Sequence, residues 1–253
     1  MASGTRKTVL AAIGGNALLT VLKFGAATVG HSPSMMNEAV HSLVDTANQV
    51  LLLLGLHFSL KPPDQEYAFG HGQKKYLWNL WSAIGIFSIG CGLGLAHTWH
   101  AWGKMNGPNA SNPVQIVNVG TIDAVWISLI VLAFSFIIEC IVLRLAWREF
   151  VRRSREAVRI STIKNLLQSA DPTLLAVLLE DSIAVAGVAL AVTGIILTRL
   201  TGNGLWDIGF SGLIALVLGI AAVILGRINI RFLTDIRDPQ AEAVFIDIVR
   251  KYR

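Results

Sequence analysis

One apolar stretch of the chain reads Glu38-Ala39-Val40-His41-Ser42-Leu43-Val44-Asp45-Thr46-Ala47-Asn48. On a helix advancing about 100° per residue, Glu38, His41, Asp45, Asn48 and Gln49 share an arc of roughly 100°. An imidazole and a carboxylate one turn apart can ligate a single divalent cation. A second apolar stretch holds Leu178-Leu179-Glu180-Asp181, with two adjacent carboxylates. His41, Asp45 and Asp181 make one nitrogen and two carboxylate groups, with Glu180 or water for a fourth position. That set suits Zn²⁺ and also accepts Co²⁺, Fe²⁺ or Mn²⁺, and no thiolate is placed to favour Cu(I). Helix neighbours diverge by about 100°, so one of Glu180 and Asp181 is expected to face the cation. The other should face a cavity, a partner helix or a proton path. Glu38 reads as a proton carrier or hydrogen-bonding group, and Asn48 as a residue that orients a ligand or bonds to another helix. Asn16, Lys23, Asp123 and Glu139 read as structural pairs. Ionisable groups at membrane depth are costly and rarely idle.

The elements that hold these groups are membrane spans. The chain is 53% hydrophobic and only 15% charged, with a mean hydropathy of +0.59, whereas soluble domains carry about 25% charged residues. Stretches near 8–29, 34–60, 76–101, 115–146, 173–198 and 207–232 approach or exceed the roughly 20 apolar residues that cross a bilayer. The fold class is therefore an all-α integral membrane protein of six transmembrane helices. The end of the fourth is expected to project beyond the bilayer as helix. With both termini cytoplasmic, only Lys104 and Arg199 of the 21 lysines and arginines fall in outer loops, and Lys23 lies inside the first span. The net charge of +5 then reflects orientation against anionic lipid rather than nucleic acid.

Residues 1–232 form one six-span transport domain, and 233–253 a short cytoplasmic C-terminal segment. In that segment Asp238-Pro239 reads as an N-cap and first helical residue of one amphipathic helix. No cleavable signal peptide is read at the N-terminus. Lys61 to Gly72, with Pro62-Pro63, Gly70 and Gly72, is a structured turn. Arg144 to Lys164 is a basic segment, read as lipid-contacting or as a solvated helix extension. Trp99, Trp102 and Trp206 sit where interfacial anchors belong. Gly90, Gly92 and Gly94 permit close helix packing, either across a dimer or within one subunit. Cys91 and Cys140 read as buried small hydrophobes. His97 and His100 read as interfacial histidines rather than an exit site.

Ser32-Pro33-Ser34-Met35-Met36-Asn37-Glu38-Ala39-Val40-His41-Ser42-Leu43-Val44-Asp45, Phe69-Gly70-His71-Gly72 and Ser135-Phe136-Ile137-Ile138-Glu139 together resemble the cation diffusion facilitator family. Leu178 to Asp181 is similar to the branch that includes zinc transporter 9. The resemblance covers nearly the whole chain. It implies a metal site with two ligands four apart in span two, matched by His41 and Asp45, and two in span five. Asp181 matches the second member of that pair. The first falls on Val177, which cannot ligate, and Glu180 is the candidate substitute. The family also carries a cytoplasmic C-terminal domain that here is absent or truncated, so a homodimer would have to form through the spans.

The function implied is export of a divalent metal cation, Zn²⁺ first, by proton-coupled antiport and alternating access. Metal and protons compete for His41, Asp45 and Asp181, and an imidazole titrates near neutral pH. Alternatives are an exporter preferring Mn²⁺, Fe²⁺ or Co²⁺, or a membrane protein with a structural or regulatory metal site. A haem protein ligated by His41 and His97 is a further rival. No nucleophile motif supports an enzyme, and no cofactor is expected beyond the cation as cargo. The partners are the cation, protons, the bilayer and a second copy of the chain. A bacterial inner membrane is the expected location.

Overall fold

The computed structural model describes residues 3–106, 118–119, 122–157, 172–234 and 239–251. Helix α1 (Ser3–Gly30) runs antiparallel to α2 (Pro33–Ser59), and the chain reverses between them within His31 and Ser32. Three local features make so short a turn possible. Gly30 lies so close to α5 (Ala124–Ala157) that a Cβ there would stand 2.6 Å from Ser128 Oγ. His31 takes the left-handed φ of 50°. Ser32 then caps α2, its hydroxyl accepting Met35 N–H at 3.1 Å, with Pro33 opening the first turn.

The third span departs from the single helix expected over 76–101. It is built as α3 (Lys74–Gly85), a π-helical segment (Ile86–Leu93) and α4 (Gly94–Asn106). The widened turn falls on the glycine run, where no side chains hold the tighter ladder in place. The missing side chains serve contact with α7 (Leu205–Leu233). A Cβ on Gly90 would stand 3.3 Å from Leu218 Cδ1, one on Gly94 2.8 Å from Ala215 Cβ, and one on Gly219 2.8 Å from Cys91 Sγ. Gly90 and Gly94 thus pack against α7 within the subunit, whereas Gly92 has open space around it. Cys91 is buried and Cys140 half-buried.

The fourth span starts at Ala124 rather than near 115. Ahead of it, β1 (Asn118–Val119) pairs antiparallel with β2 (Ile122–Asp123), a small exception to the all-helical reading. Asp123 sets the helix start by accepting Val125 N–H at 3.1 Å. The 34 residues of α5 reach about 51 Å at 1.5 Å per residue, well beyond a hydrocarbon core of about 30 Å. Its end therefore projects, as expected, while residues 158–164 of the basic segment lie outside the described residues. Trp126, Ile130, Phe134, Ile137 and Ile141 recur every three or four positions along α5 and are exposed, a stripe suited to lipid.

Helix α6 (Pro172–Thr201), α7 and the short α8 (Pro239–Lys251) complete the chain; Asp238 lies outside the described residues. Among the described residues, six helical stretches are long and apolar enough to cross a membrane. Trp99, Trp102 and Trp206 are exposed near span ends. The main buried cluster joins Ala26 and Ala27 to Met35, Leu132, Val188, Ile195, Ile214 and Leu218, and a smaller one joins Val44, Ala83, Ala222 and Leu225. Lipid is as apolar as this interior, so close packing and polar contacts, not hydrophobic burial, set helix association.

Gly94→Val should therefore destabilise the bundle by about 1–3 kcal/mol through overpacking against Ala215 and Asn37. Gly92→Val, with open space around it, should leave stability nearly unchanged. Thermal unfolding of the two variants in detergent micelles checks the contrast.

Candidate functional site

Helix α2 carries polar side chains along its whole length, and each level is tied to a different set of neighbours. Nearest its start, Ser34 N–H reaches Asp207 Oδ1 at 3.2 Å and Ser34 Oγ donates to the same oxygen. Asn37 Nδ2 donates to Ser211 O and Oγ, each at 2.8 Å, and reaches Gly94 O at 3.2 Å. At the next residue, Glu38 Oε1 accepts Lys23 Nζ–H at 2.9 Å. The same ammonium donates to Ser42 Oγ at 2.8 Å and to Glu139 Oε1 at 2.8 Å. Lys23 and Glu38 are fully buried, and all three ammonium donors are used. Further along, Asn48 Nδ2 donates to Glu180 Oε2 while its Oδ1 accepts Ser82 Oγ–H. These bonds link α2 to α6 and α3.

Between those levels lie His41 and Asp45. His41 is buried, its Nε2 stands 3.4 Å from Asp45 Oδ2, and neither ring nitrogen has a hydrogen-bond partner. Buried polar atoms without partners are uncommon and call for an explanation such as an ion. Next to them is a cleft of about 50 Å³ whose polar wall is Asn16, Ser42, Asp45, Gln49, Glu139, Glu180 and Asp181. A bound water needs at least about 10–15 Å³, so the cleft has room for a partly hydrated cation. Asp181 Oδ2, Glu139 Oε2 and Gln49 Oε1 are buried without partners.

Such a wall offers carboxylate oxygens from three helices, α2, α5 and α6. Among the described residues, no group of three His, Cys, Asp or Glu side chains is drawn together closely enough to hold a metal ion. Donors of the right chemistry are thus gathered but not closed. Residues 9–234 match the cation efflux transmembrane domain.

The chain belongs to the cation efflux family.

Its relatives include the human proton-coupled zinc antiporter SLC30A9, mitochondrial, 37% identical over 204 residues, 81% of this chain and 33% of that protein. The mouse protein of the same name is 36% identical over 223 residues, 88% of this chain and 36% of its own. Metal tolerance protein C4 of Arabidopsis thaliana is 31% identical over 226 residues, 89% of this chain and 46% of its own. The chain thus spans between a third and a half of the length of these relatives. The named relatives in this family are a zinc antiporter and a metal tolerance protein, for which the metal is cargo rather than cofactor. A bacterial inner membrane draws no support from the human and mouse relatives, whose names place them in mitochondria.

The sequence-expected residues divide as follows. Asp45, Glu180 and Asp181 share the cleft wall, and His41 stands beside Asp45 without forming part of it. Glu180 and Asp181 were expected to face different surroundings, yet both reach the same cleft. The longer Glu side chain compensates for its angular offset, and Asn48 holds its outer oxygen. Val177 is half-buried and offers no ligand. Glu38 sits away from the cleft in the Lys23 ion pair. Of the four residues read as structural, Lys23 pairs with Glu139 and Asp123 with Arg199 at 2.7 Å, whereas Asn16 stands on the cleft wall. Glu139 has a second place on the cleft wall that its isolated position in span four did not reveal.

The turn between spans two and three is also built from polar contacts. Asp64 Oδ1 accepts the amides of Tyr67 at 2.8 Å and Glu66 at 3.0 Å, and Oδ2 meets His71 Nε2 at 2.9 Å. Gly70, at a φ of 81°, lets the turn fold onto Pro63. The Tyr67 amide, with the His71 contact second, holds the Asp64 carboxyl below the usual carboxylate range. A depressed folded value means that the stabilisation is present above the unfolded value and lost as pH falls through the folded one. Hydrogen-exchange protection of the Tyr67 amide should therefore decline on acidification below the ordinary carboxylate range, and Asp64→Asn should flatten that decline.

Proposed function

We propose that the chain moves a divalent cation, Zn²⁺ in first place, across a membrane in exchange for protons. The observation that carries this reading is the cleft whose wall Asp45, Glu180 and Asp181 share, beside a buried His41 whose ring nitrogens have no hydrogen-bond partner. Imidazole plus carboxylate suits Zn²⁺, and a shift toward carboxylate alone suits harder ions such as Mn²⁺. Ligands must lose protons to bind metal, so binding and release are linked to proton movement without any extra device.

In this reading His41, Asp45 and Asp181 are the ligands, Glu180 or water completes the set, and Asn48 orients Glu180. Donors now held apart must be drawn together by the cation, which gives binding a conformational consequence. Restraint of α2 at Ser34, Asn37, Glu38 and Ser42, and again at Asn48, leaves the side chains of His41 and Asp45 to respond. The names of the SLC30A9 relatives support zinc and proton coupling. They also make an organellar membrane the favoured location over a bacterial one. A homodimer belongs to the same reading, and it would form through a surface other than Gly90 and Gly94, which face α7.

Proteoliposomes loaded with a Zn²⁺-sensitive dye, under an imposed proton gradient, test the reading. The parent chain should take up Zn²⁺ in a gradient-dependent way, and Asp181→Ala should lose at least about tenfold, since even outer-shell losses cost 10–100-fold. Uptake retained in Asp181→Ala would remove that residue from the site. Tight stoichiometric Zn²⁺ with no flux would favour a structural or regulatory metal site instead. His41→Asp should move the ranking of transported ions from Zn²⁺ toward Mn²⁺ in the same liposomes, and an unchanged ranking would remove His41 from the ligand set.

A further inference from the structure

The cleft wall and the buried ion pair share one residue. Glu139 Oε1 accepts Lys23 Nζ and Ser135 Oγ, each at 2.8 Å. Its Oε2 is buried without a partner, and the side chain stands on the cleft wall with Asp45 and Asp181. Lys23 is meanwhile shared between two carboxylates, Glu38 and Glu139, with Ser42 as its third acceptor. One ammonium facing two carboxylates leaves this group with an excess negative charge.

Glu38 is not free to respond to what enters the cleft. A Cβ on Gly187 of α6 would come within 2.6 Å of its Oε2, so it is pressed between α1 and α6. The Oε2 atoms of Glu38 and Glu139 are both buried without a partner, but only the Glu139 side chain lines the cleft.

We propose that Glu139 is a further cation-binding group of the transport site, held in reserve by Lys23, so that a divalent cation in the cleft and the Lys23 ammonium compete for one carboxylate. The inference rests on the reading of the cleft as the divalent cation site. A doubly charged ion beside Glu139 attracts it more strongly than one ammonium does at equal distance. When Glu139 turns to the cation, Lys23 keeps Glu38 and Ser42, so no unpaired ammonium is left in a low-dielectric interior. Glu38 thereby acquires a role that a simple ion pair would not need: it holds the ammonium while its other partner is away. The exchange also removes one tie between α5 and the α1–α2 pair, which couples occupancy of the cleft to freedom of those helices.

Zn²⁺ titration calorimetry of the full chain in lipid nanodiscs tests this, with the parent, Glu139→Gln and the double variant Lys23→Met with Glu38→Gln. The double variant keeps the formal charge of the group but releases Glu139. It should bind Zn²⁺ about tenfold more tightly, within the usual range of coupling between sites, and Glu139→Gln should bind more weakly by a similar factor. A purely structural role predicts the opposite sign or no change in the double variant, and either result would overturn the inference. Ser135→Ala removes only one hydroxyl from Glu139 Oε1; should the double variant not fold, tighter binding in Ser135→Ala supports the proposal and unchanged or weaker binding refutes it. Parent binding that is lost in Asp181→Ala yet indifferent to every change around Glu139 sinks this inference alone. A parent that binds no Zn²⁺ sinks the site reading as well.

Discussion

A fully buried ammonium is the constraint around which the upper half of this bundle is organised. Lys23 has no exposed surface, and an isolated charge at such depth would be untenable. Three acceptors from two other helices surround it: Glu38 and Ser42 on α2, and Glu139 on α5. Lipid offers no hydrophobic drive to bring those helices together, so polar ties of this kind decide which faces meet. The place of α5 beside α1, and hence of Glu139 on the cleft wall, follows from satisfying one lysine.

Helix α2 is the axis on which these ties are strung. Ser34 and Asn37 fasten it to α7 and α4, Glu38 and Ser42 to Lys23 on α1 and through that ammonium to α5, and Asn48 to α3 and α6. Both ring nitrogens of His41 lack hydrogen-bond partners, as do Asn37 Oδ1, Glu38 Oε2 and Gln49 Oε1 on the same helix. A helix tied at several levels holds its remaining polar atoms in register. It can still let the neighbouring helices shift around them. Gly187 contributes by letting α6 approach Glu38 without a side chain in between, which brings Asp181, on the same helix, to the cleft wall.

Much of the fold was legible because membrane spans are marked by composition. Long apolar runs separated by prolines, glycines and charges leave few alternatives when every backbone group must be bonded internally. The pairing of His41 with Asp45 was legible for a similar reason: four residues make one helical turn. Less visible were features that depend on a neighbour. The π-helical segment at Ile86–Leu93 reflects how a glycine run meets α7, and the late start of α5 reflects capping by Asp123. Neither leaves a periodic signal. Family membership is shown by the match over residues 9–234, whereas the assignment of ligands stays with the proposal above.

The linear order of residues thus determined which groups lie on one helix and on which side of it. His41 and Asp45 share a face, and Glu180 and Asp181 share a turn, because backbone geometry alone sets those relations. Tertiary packing decided the relations between helices. It put Glu139, more than 90 positions from Asp45 and read only as a structural partner, on the same cleft wall. It also turned Glu180 and Asp181 toward one space. Spacing along a chain carries no information on distances across a bundle; those are set by the close approach of glycines and by the acceptors that one buried lysine requires.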